Sequence, residues 1–170
     1  HVREVLNYET AIEQGIDALD DGQQFTVELL HSLHETLLTD IPEERRETDD
    51  IGRFKRVPNN LGDFVPPVPD AAERAMEALL AYLRSGTRYH PLVEIALTHY
   101  QFETIHPYGD GNGRLGRLLI TLQLYEADFL ERPTLYLSEY FNRNKETYVE
   151  RMEAVRRSGA WEAWLSFFVE

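Results

Sequence analysis

Apolar side chains recur along this chain at helical spacing. Val2, Val5, Leu6, Ile12, Ile16 and Leu19 lie on or near one face of a helix, and Gly22 breaks it. Thr26 is the N-cap candidate of a second helix through Leu38, with Val27, Leu30, Leu33 and Leu37 inward. Asp70-Ala71-Ala72-Glu73 is a capping-box-like start for a third, through Leu79, Leu80 and Leu83 to Gly86. Pro91 opens a fourth, Leu92 to Ile105, with Ile95, Ala96, His99, Phe102 and Glu103 along neighbouring turns. Leu115, Leu118, Leu119 and Leu122 fall at i, i+3, i+4 and i+7, so the fifth presents one core face. Pro133 begins a connection, and Ser138 is the cap candidate for a sixth helix, Glu139 to Arg157, which Gly159 ends. Trp161, Trp164, Leu165, Phe167 and Phe168 make a final aromatic helix.

Residues 40–69 break this rhythm. Glu43 to Glu47, with Asp49 and Asp50, form a mixed charge run whose simplest place is in solvent. Gly52 to Gly62 suggests a short two-stranded hairpin, which Pro58 confines to an edge or turn, with an irregular loop about equally open. Phe64 to Pro69 is an extended connector. The predicted fold is therefore all-α, a bundle of roughly seven helices carrying one small hairpin.

Composition narrows the class. With 170 residues and 42% hydrophobic content, one domain over the whole chain with a real core is expected. No run approaches the ~20 apolar residues of a membrane span, and no signal peptide is visible. His1 is not an initiator methionine, so trimming or processing of the chain is expected. The absence of cysteine removes disulfides and thiolate chemistry, and fits a reducing cytoplasm. A net charge of -13, with Lys55 and Lys145 as the only lysines, repels nucleic acid and anionic membranes, so neither is an expected partner.

Against that negative field, one stretch gathers positive charge. It runs His106-Pro107-Tyr108-Gly109-Asp110-Gly111-Asn112-Gly113-Arg114-Leu115-Gly116-Arg117. Its first half is a loop whose backbone can approach a ligand closely, and its second half enters the fifth helix. A glycine-rich loop feeding a helix N-terminus is a ready anion site. Arg114 and Arg117 oppose the helix dipole there, which makes sense if a multiply charged anion sits among them. Asp110 would repel bound phosphates unless a divalent cation, most plausibly Mg2+, bridges the two. His106 at the loop entrance can take a proton near neutral pH. The inventory suits phosphoryl or nucleotidyl transfer. Being last on its helix, before a proline, His106 is expected to gain proton affinity from the helix C-terminus.

Two other motifs fail. Gly111-x-Gly113-x-x-Gly116 matches a dinucleotide fingerprint, but a helix precedes it where a strand is required. Asp110-Gly111-Asn112 begins like an EF-hand loop, but Arg114 and Leu115 occupy later ligand and glycine positions. His31 and His34, at i and i+3, have no identifiable ligand partner, so packing or surface roles are expected; His99 is expected in the core.

His106 to Arg117 resembles the signature of Fic-domain proteins, His-x-Phe-x-Asp/Glu-Gly-Asn-Gly-Arg-x-x-Arg, with Tyr108 in place of phenylalanine. That swap adds a hydroxyl needing a partner. The resemblance spans about Val5 to Phe168 and implies the Fic fold. It also implies transfer of AMP from ATP to a target protein's hydroxyl, with His106 as general base and Asp110 as the Mg2+ ligand. Gly111, Asn112, Gly113 and Arg114 would cradle phosphates, with Arg117 on the terminal one. Tyr148 and Tyr140 would be nucleotide-base pocket walls, ordinary core roles being equally open. Relatives that phosphorylate carry a lysine-containing loop instead of Gly-Asn-Gly-Arg.

The segment around 52–62 resembles the family's target-docking flap, whose edge pairs with target backbone. Phe54, Lys55, Asn59 and Leu61 are its candidate docking residues. Many relatives also hold an inhibitory helix, Ser/Thr-x-x-x-Glu-Gly/Asn, whose glutamate pairs with the arginine matching Arg117. No such string occurs here, so the inhibitory helix is expected upstream of His1 or in a separate protein. The remaining alternatives are a nucleotide-binding module without turnover, transfer of another phosphate-linked group, and removal of AMP.

Overall fold

Thr26 caps its helix as its position requires: the backbone there is extended and the hydroxyl accepts the Leu29 amide at 3.2 Å. The computed structural model describes residues 2–86, 88–131 and 137–170. Its α-helices, in chain order, are α1 Val2–Asp20, α2 Val27–Leu38, α3 Pro69–Arg84, α4 Pro91–Ile105, α5 Asn112–Glu126, α6 Leu137–Arg143, α7 Lys145–Ser158 and α8 Trp161–Val169. A single 3-10 turn, Glu43–Arg45, interrupts the long segment between α2 and α3. The all-α class is as expected, and no helix among the described residues is long and apolar enough to cross a membrane.

Local chemistry moves three boundaries. The start expected at Asp70 lies at Pro69, with Val68 as N-cap and no side-chain cap bond. Proline suits a first helical position because its missing amide would have been unpaired there anyway. The long helix expected over Glu139–Arg157 is two, α6 and α7, broken at Asn144. The Asn144 amide donates to the Tyr140 carbonyl at 2.9 Å, an alternative that asparagine offers a backbone at a helix end. Ser138 consequently lies inside α6 rather than capping it. The connection expected from Pro133 lies outside the described residues.

The expected hairpin also contracts. Among the described residues the only pairing near 52–62 is an isolated antiparallel bridge, Leu61 with Phe64, bonded both ways at 2.9 and 3.0 Å. The reason is competition. The Lys55 backbone amide donates to the Pro107 carbonyl at 2.8 Å, and the Asn59 side chain donates from Nδ2 to the Tyr108 carbonyl at 3.0 Å. The Lys55 amide, which could have joined a ladder, is spent on the motif loop, and the Asn59 side chain fastens the segment there.

α4 and α5 are the central pair, each contributing to both apolar clusters. On one side Leu30, Leu33, Met76, Phe102, Leu115, Leu118 and Leu122 close against α1, α2 and α3. On the other, Ile95, Tyr100, Ile120, Met152, Trp164 and Phe167 close against α7 and α8. Trp164 is wholly buried, and its indole N–H donates to the Ala96 carbonyl at 3.0 Å. Sandwiched this way, the α4–α5 connection is anchored at both ends, and that connection is the motif loop.

Candidate active site

α4 ends at Ile105, and His106 takes a left-handed backbone, φ 49 and ψ 60. Pro107 disfavours helical geometry for the residue before it, so the chain turns here. The His106 side chain is 16% exposed, and its Nδ1 is buried with no hydrogen-bond partner. Burial depresses its pKa to about 4, the Lys55 charge adds to that, and the Glu103 carbonyl pulls the other way. The rise expected from a helix C-terminus is thus overridden by desolvation.

The loop is built on Tyr108, which is fully buried. Its ring stacks on His34 at 4.0 Å and meets Phe54 at 5.3 Å. Its hydroxyl lies 3.0 Å from His31 Nδ1, the partner that the Phe-to-Tyr swap required. Asn112 closes a ring with the same residue: its Oδ1 accepts the Tyr108 amide at 2.9 Å and its Nδ2 donates to the Tyr108 carbonyl at 2.7 Å. His34 is wedged beneath, Nδ1 accepting the Gly52 amide at 3.0 Å and Nε2 donating to the Asp110 carbonyl at 2.9 Å. The packing role expected for His31 and His34 is therefore specific: both hold the loop from below.

Gly111 is the N-cap of α5 in a left-handed backbone, φ 76, and supplies no capping side chain. That leaves the first-turn amides of α5 for an anion. A Cβ at Gly113 would lie 3.1 Å from an Arg117 guanidinium nitrogen, so glycine lets that arginine lie over the helix start. The Arg117 Nε donates to the Ser138 hydroxyl at 3.0 Å. Arg117 makes no salt bridge among the described residues. Arg114 pairs with Asp110 at 3.1 Å, within one helical turn. Asp110 Oδ1 also accepts the Gly111 amide, and Oδ2 accepts the Glu47 amide at 3.2 Å.

The charge run is largely exposed, as expected, with Asp50 as its buried member and the Glu47 backbone touching the loop. Glu47 reaches the loop, and Thr48 crowds Gly109, where a Cβ would fall 2.7 Å from the threonine Cβ. Asp50 is buried, accepts Arg56 Nε at 2.7 Å and forms an ion pair with Arg53 Nε at 3.2 Å. The run covers one side of the motif, which charge alternation alone does not reveal.

The docking candidates separate. Phe54 packs on His31 and Tyr108. Lys55 is buried, donates from Nζ to Asn59 Oδ1 at 2.7 Å, and has its pKa lowered to about 8 by that burial. Asn59 clamps the loop, and only Leu61 is exposed. Tyr148 and Tyr140 both turn their hydroxyls into the bundle, to His99 Nε2 at 3.2 Å and to the Phe167 carbonyl at 3.3 Å.

His99 is buried as expected, and burial with the Arg117 charge depresses its pKa to about 3. An unfolded chain binds a proton there below the ordinary value of 6.5. Stability is therefore lost as pH falls from about 6.5 toward 3. Glu103, raised to about 7 chiefly by burial, works in the opposite sense, its contribution complete below the ordinary 4.5 and lost as pH rises through 7. Thermal melts of His99→Gln are expected to show a shallower loss of melting temperature between about pH 6.5 and 4 than the parent chain. Parallel curves would disprove it.

The family model described as "Fic/DOC family" matches residues 24–124, which contain the motif. The chain is similar to a protein adenylyltransferase Fic from Nematostella vectensis, 39% identical over 82 residues, covering 47% of this chain and 19% of the relative. It is 30% identical over 128 residues to one from Drosophila ananassae, covering 74% of this chain and 25% of that protein. The chain thus matches about a fifth to a quarter of the length of these curated relatives. Its fold superposes on a Fic family protein from Desulfovibrio desulfuricans with a TM-score of 0.80 at 28% identity, over 99% of this chain and 50% of that one.

Proposed function

The chain belongs to the Fic/DOC family, and from that premise we propose that residues 1–170 form one Fic domain moving AMP from ATP to a Ser, Thr or Tyr hydroxyl of a target protein. The observation that carries the reading is the start of α5. A side-chain-free N-cap, an Arg117 without a salt-bridge partner among the described residues and a partly exposed His106 meet at one loop. The relatives' shared name, protein adenylyltransferase, supports the same reaction.

In the proposed step a target hydroxyl loses its proton to His106 as its oxygen attacks the α-phosphorus. The new O–P bond replaces the bond to the β-phosphate oxygen, and pyrophosphate departs against Arg114, Arg117 and the α5 amides. A neutral His106 is the competent form of a base, and burial keeps it neutral. Asp110 is the one carboxylate in the loop, and no group of three or more metal-ligating side chains occurs among the described residues. A single carboxylate fits Mg2+ that arrives on nucleotide phosphates, since that ion keeps waters and phosphate oxygens in its shell. Asp110 would hold it, and the ion would offset phosphate charge.

The target would approach along residues 57–68, where Val57, Leu61, Val65 and Val68 are exposed. This apolar stripe replaces the free hairpin edge, since the Lys55 amide is already bonded to the motif loop. An inhibitory glutamate would reach Arg117 from outside these residues, on an upstream segment or another protein. A reducing cytoplasm supplied with ATP is the compartment this cysteine-free domain would suit.

The test is labelling of lysate proteins with ATP radioactive at the α- or the γ-phosphate. Transfer from the α-label alone is expected. Transfer from γ alone would make it a kinase, and ATP binding without any transfer would make it a binding module.

A further inference from the structure

Glu103, on the last turn of α4, is a buried carboxyl that the reaction above leaves without a task. It is 9% exposed, and its Oε2 lies 3.8 Å from His106 Nδ1. That nitrogen is buried without a well-formed hydrogen bond, the Glu103 backbone carbonyl being its other acceptor within reach. Buried polar atoms are ordinarily hydrogen-bonded, so an orphaned ring nitrogen facing a carboxylate marks a contact that a small movement closes. α5 makes room for it. A Cβ at Gly116 would fall 2.4 Å from Glu103 Oε1, so only glycine there admits the carboxylate.

We infer that Glu103 positions His106: its carboxylate accepts a hydrogen bond from Nδ1–H and so holds the tautomer whose Nε2 lone pair meets the target hydroxyl. The inference rests on His106 being the proton acceptor. As Nε2 gains the hydroxyl proton the ring turns cationic, and an adjacent buried carboxylate stabilises that charge. The surroundings otherwise oppose it, since Lys55 and Arg156 both lower the proton affinity of His106. Arg117 of α5 and Arg156 of α7 face Glu103 and favour its ionised form against burial. The Arg156 guanidinium rests on the Phe64 ring at 3.7 Å, and Tyr148 of α7 completes the surroundings. Glu103 titrates at about 7, so its charge becomes available across neutral pH.

The test uses the 170-residue chain labelled with 15N at histidine, in wild type, Glu103→Gln, Glu103→Leu and His106→Ala, the last assigning the His106 signal. Two-bond 1H–15N spectra are expected to show His106 protonated at Nδ1 in the wild type and at Nε2 in Glu103→Leu. Glutamine can still accept a hydrogen bond from Nδ1–H but carries no charge. Glu103→Gln is therefore expected to keep the tautomer yet lower the rate of labelling from α-labelled ATP by about 10- to 100-fold. The half-saturating ATP concentration should stay within about two-fold, and the rise in rate near pH 7 should disappear. An Nδ1 proton retained in Glu103→Leu would transfer the role to the Glu103 backbone carbonyl, on the same side, and overturn the proposal. If the leucine variant does not fold, an unchanged rate and pH profile in Glu103→Gln overturns it. Transfer that survives in His106→Ala refutes the base assignment itself, a separate failure.

Discussion

His106→Ala is expected to lower AMP transfer by about 10²- to 10⁴-fold, the range for losing a positioned general base. ATP affinity should change little, because the proposed phosphate contacts come from Gly111 to Arg117 and not from the imidazole. Stability should hold as well. The ring is partly exposed and its Nδ1 lies 3.8 Å from Glu103 Oε2, so its removal costs at most one weak polar contact. The three readouts are α-phosphate labelling, calorimetric titration with ATP and a thermal melt. Loss of transfer with binding and melting intact supports the base. Equal loss of binding would reassign His106 to nucleotide contact, and full activity would remove it from the chemistry.

Asn112→Ala is expected to be the most damaging change in the motif for the fold. The residue is 2% exposed and its side chain closes both backbone groups of Tyr108, at 2.9 and 2.7 Å. Alanine leaves the Tyr108 amide without its acceptor beside a fully buried ring. The carbonyl keeps its second donor, Asn59, at 3.0 Å. An orphaned buried amide and a lost pair of bonds together cost about 2–4 kcal/mol. For a chain of this size that corresponds to a melting temperature lower by roughly 5–15 °C. Asn112→Asp, which keeps the acceptor but not the donor, should fall between. Asn112 thus acts by shaping the loop, besides any contact with phosphate. A variant that melts normally but fails to bind ATP would reverse that order of importance.

The helices were legible because their signals are local. Apolar residues three and four apart, a threonine cap and a proline at a first position act within one or two turns. Where local signals compete, the outcome turned on neighbours. Asn144 split a helix that periodicity ran together, by bonding back to Tyr140. The 52–62 segment gave its donors to the motif loop and formed one bridge instead of a ladder. Lys55 and Asn59 were docking candidates because their segment resembles the family's flap. Their actual place, under the loop, depends on carbonyls some fifty residues away in sequence.

By itself the sequence determined an all-α chain with the motif loop set between two core helices, and the residue types available there to hold a polyanion. Both follow from short-range order, since periodicity sets which face is buried and glycine and proline set where the backbone can turn. Only the tertiary structure decided that His106 is desolvated rather than favoured as a cation, and that Glu103, given room by Gly116, faces it. Proton affinity depends on the dielectric and charges within a few ångströms, and those come from α4, α5, α7 and the 52–62 segment at once. No spacing along the chain encodes that convergence.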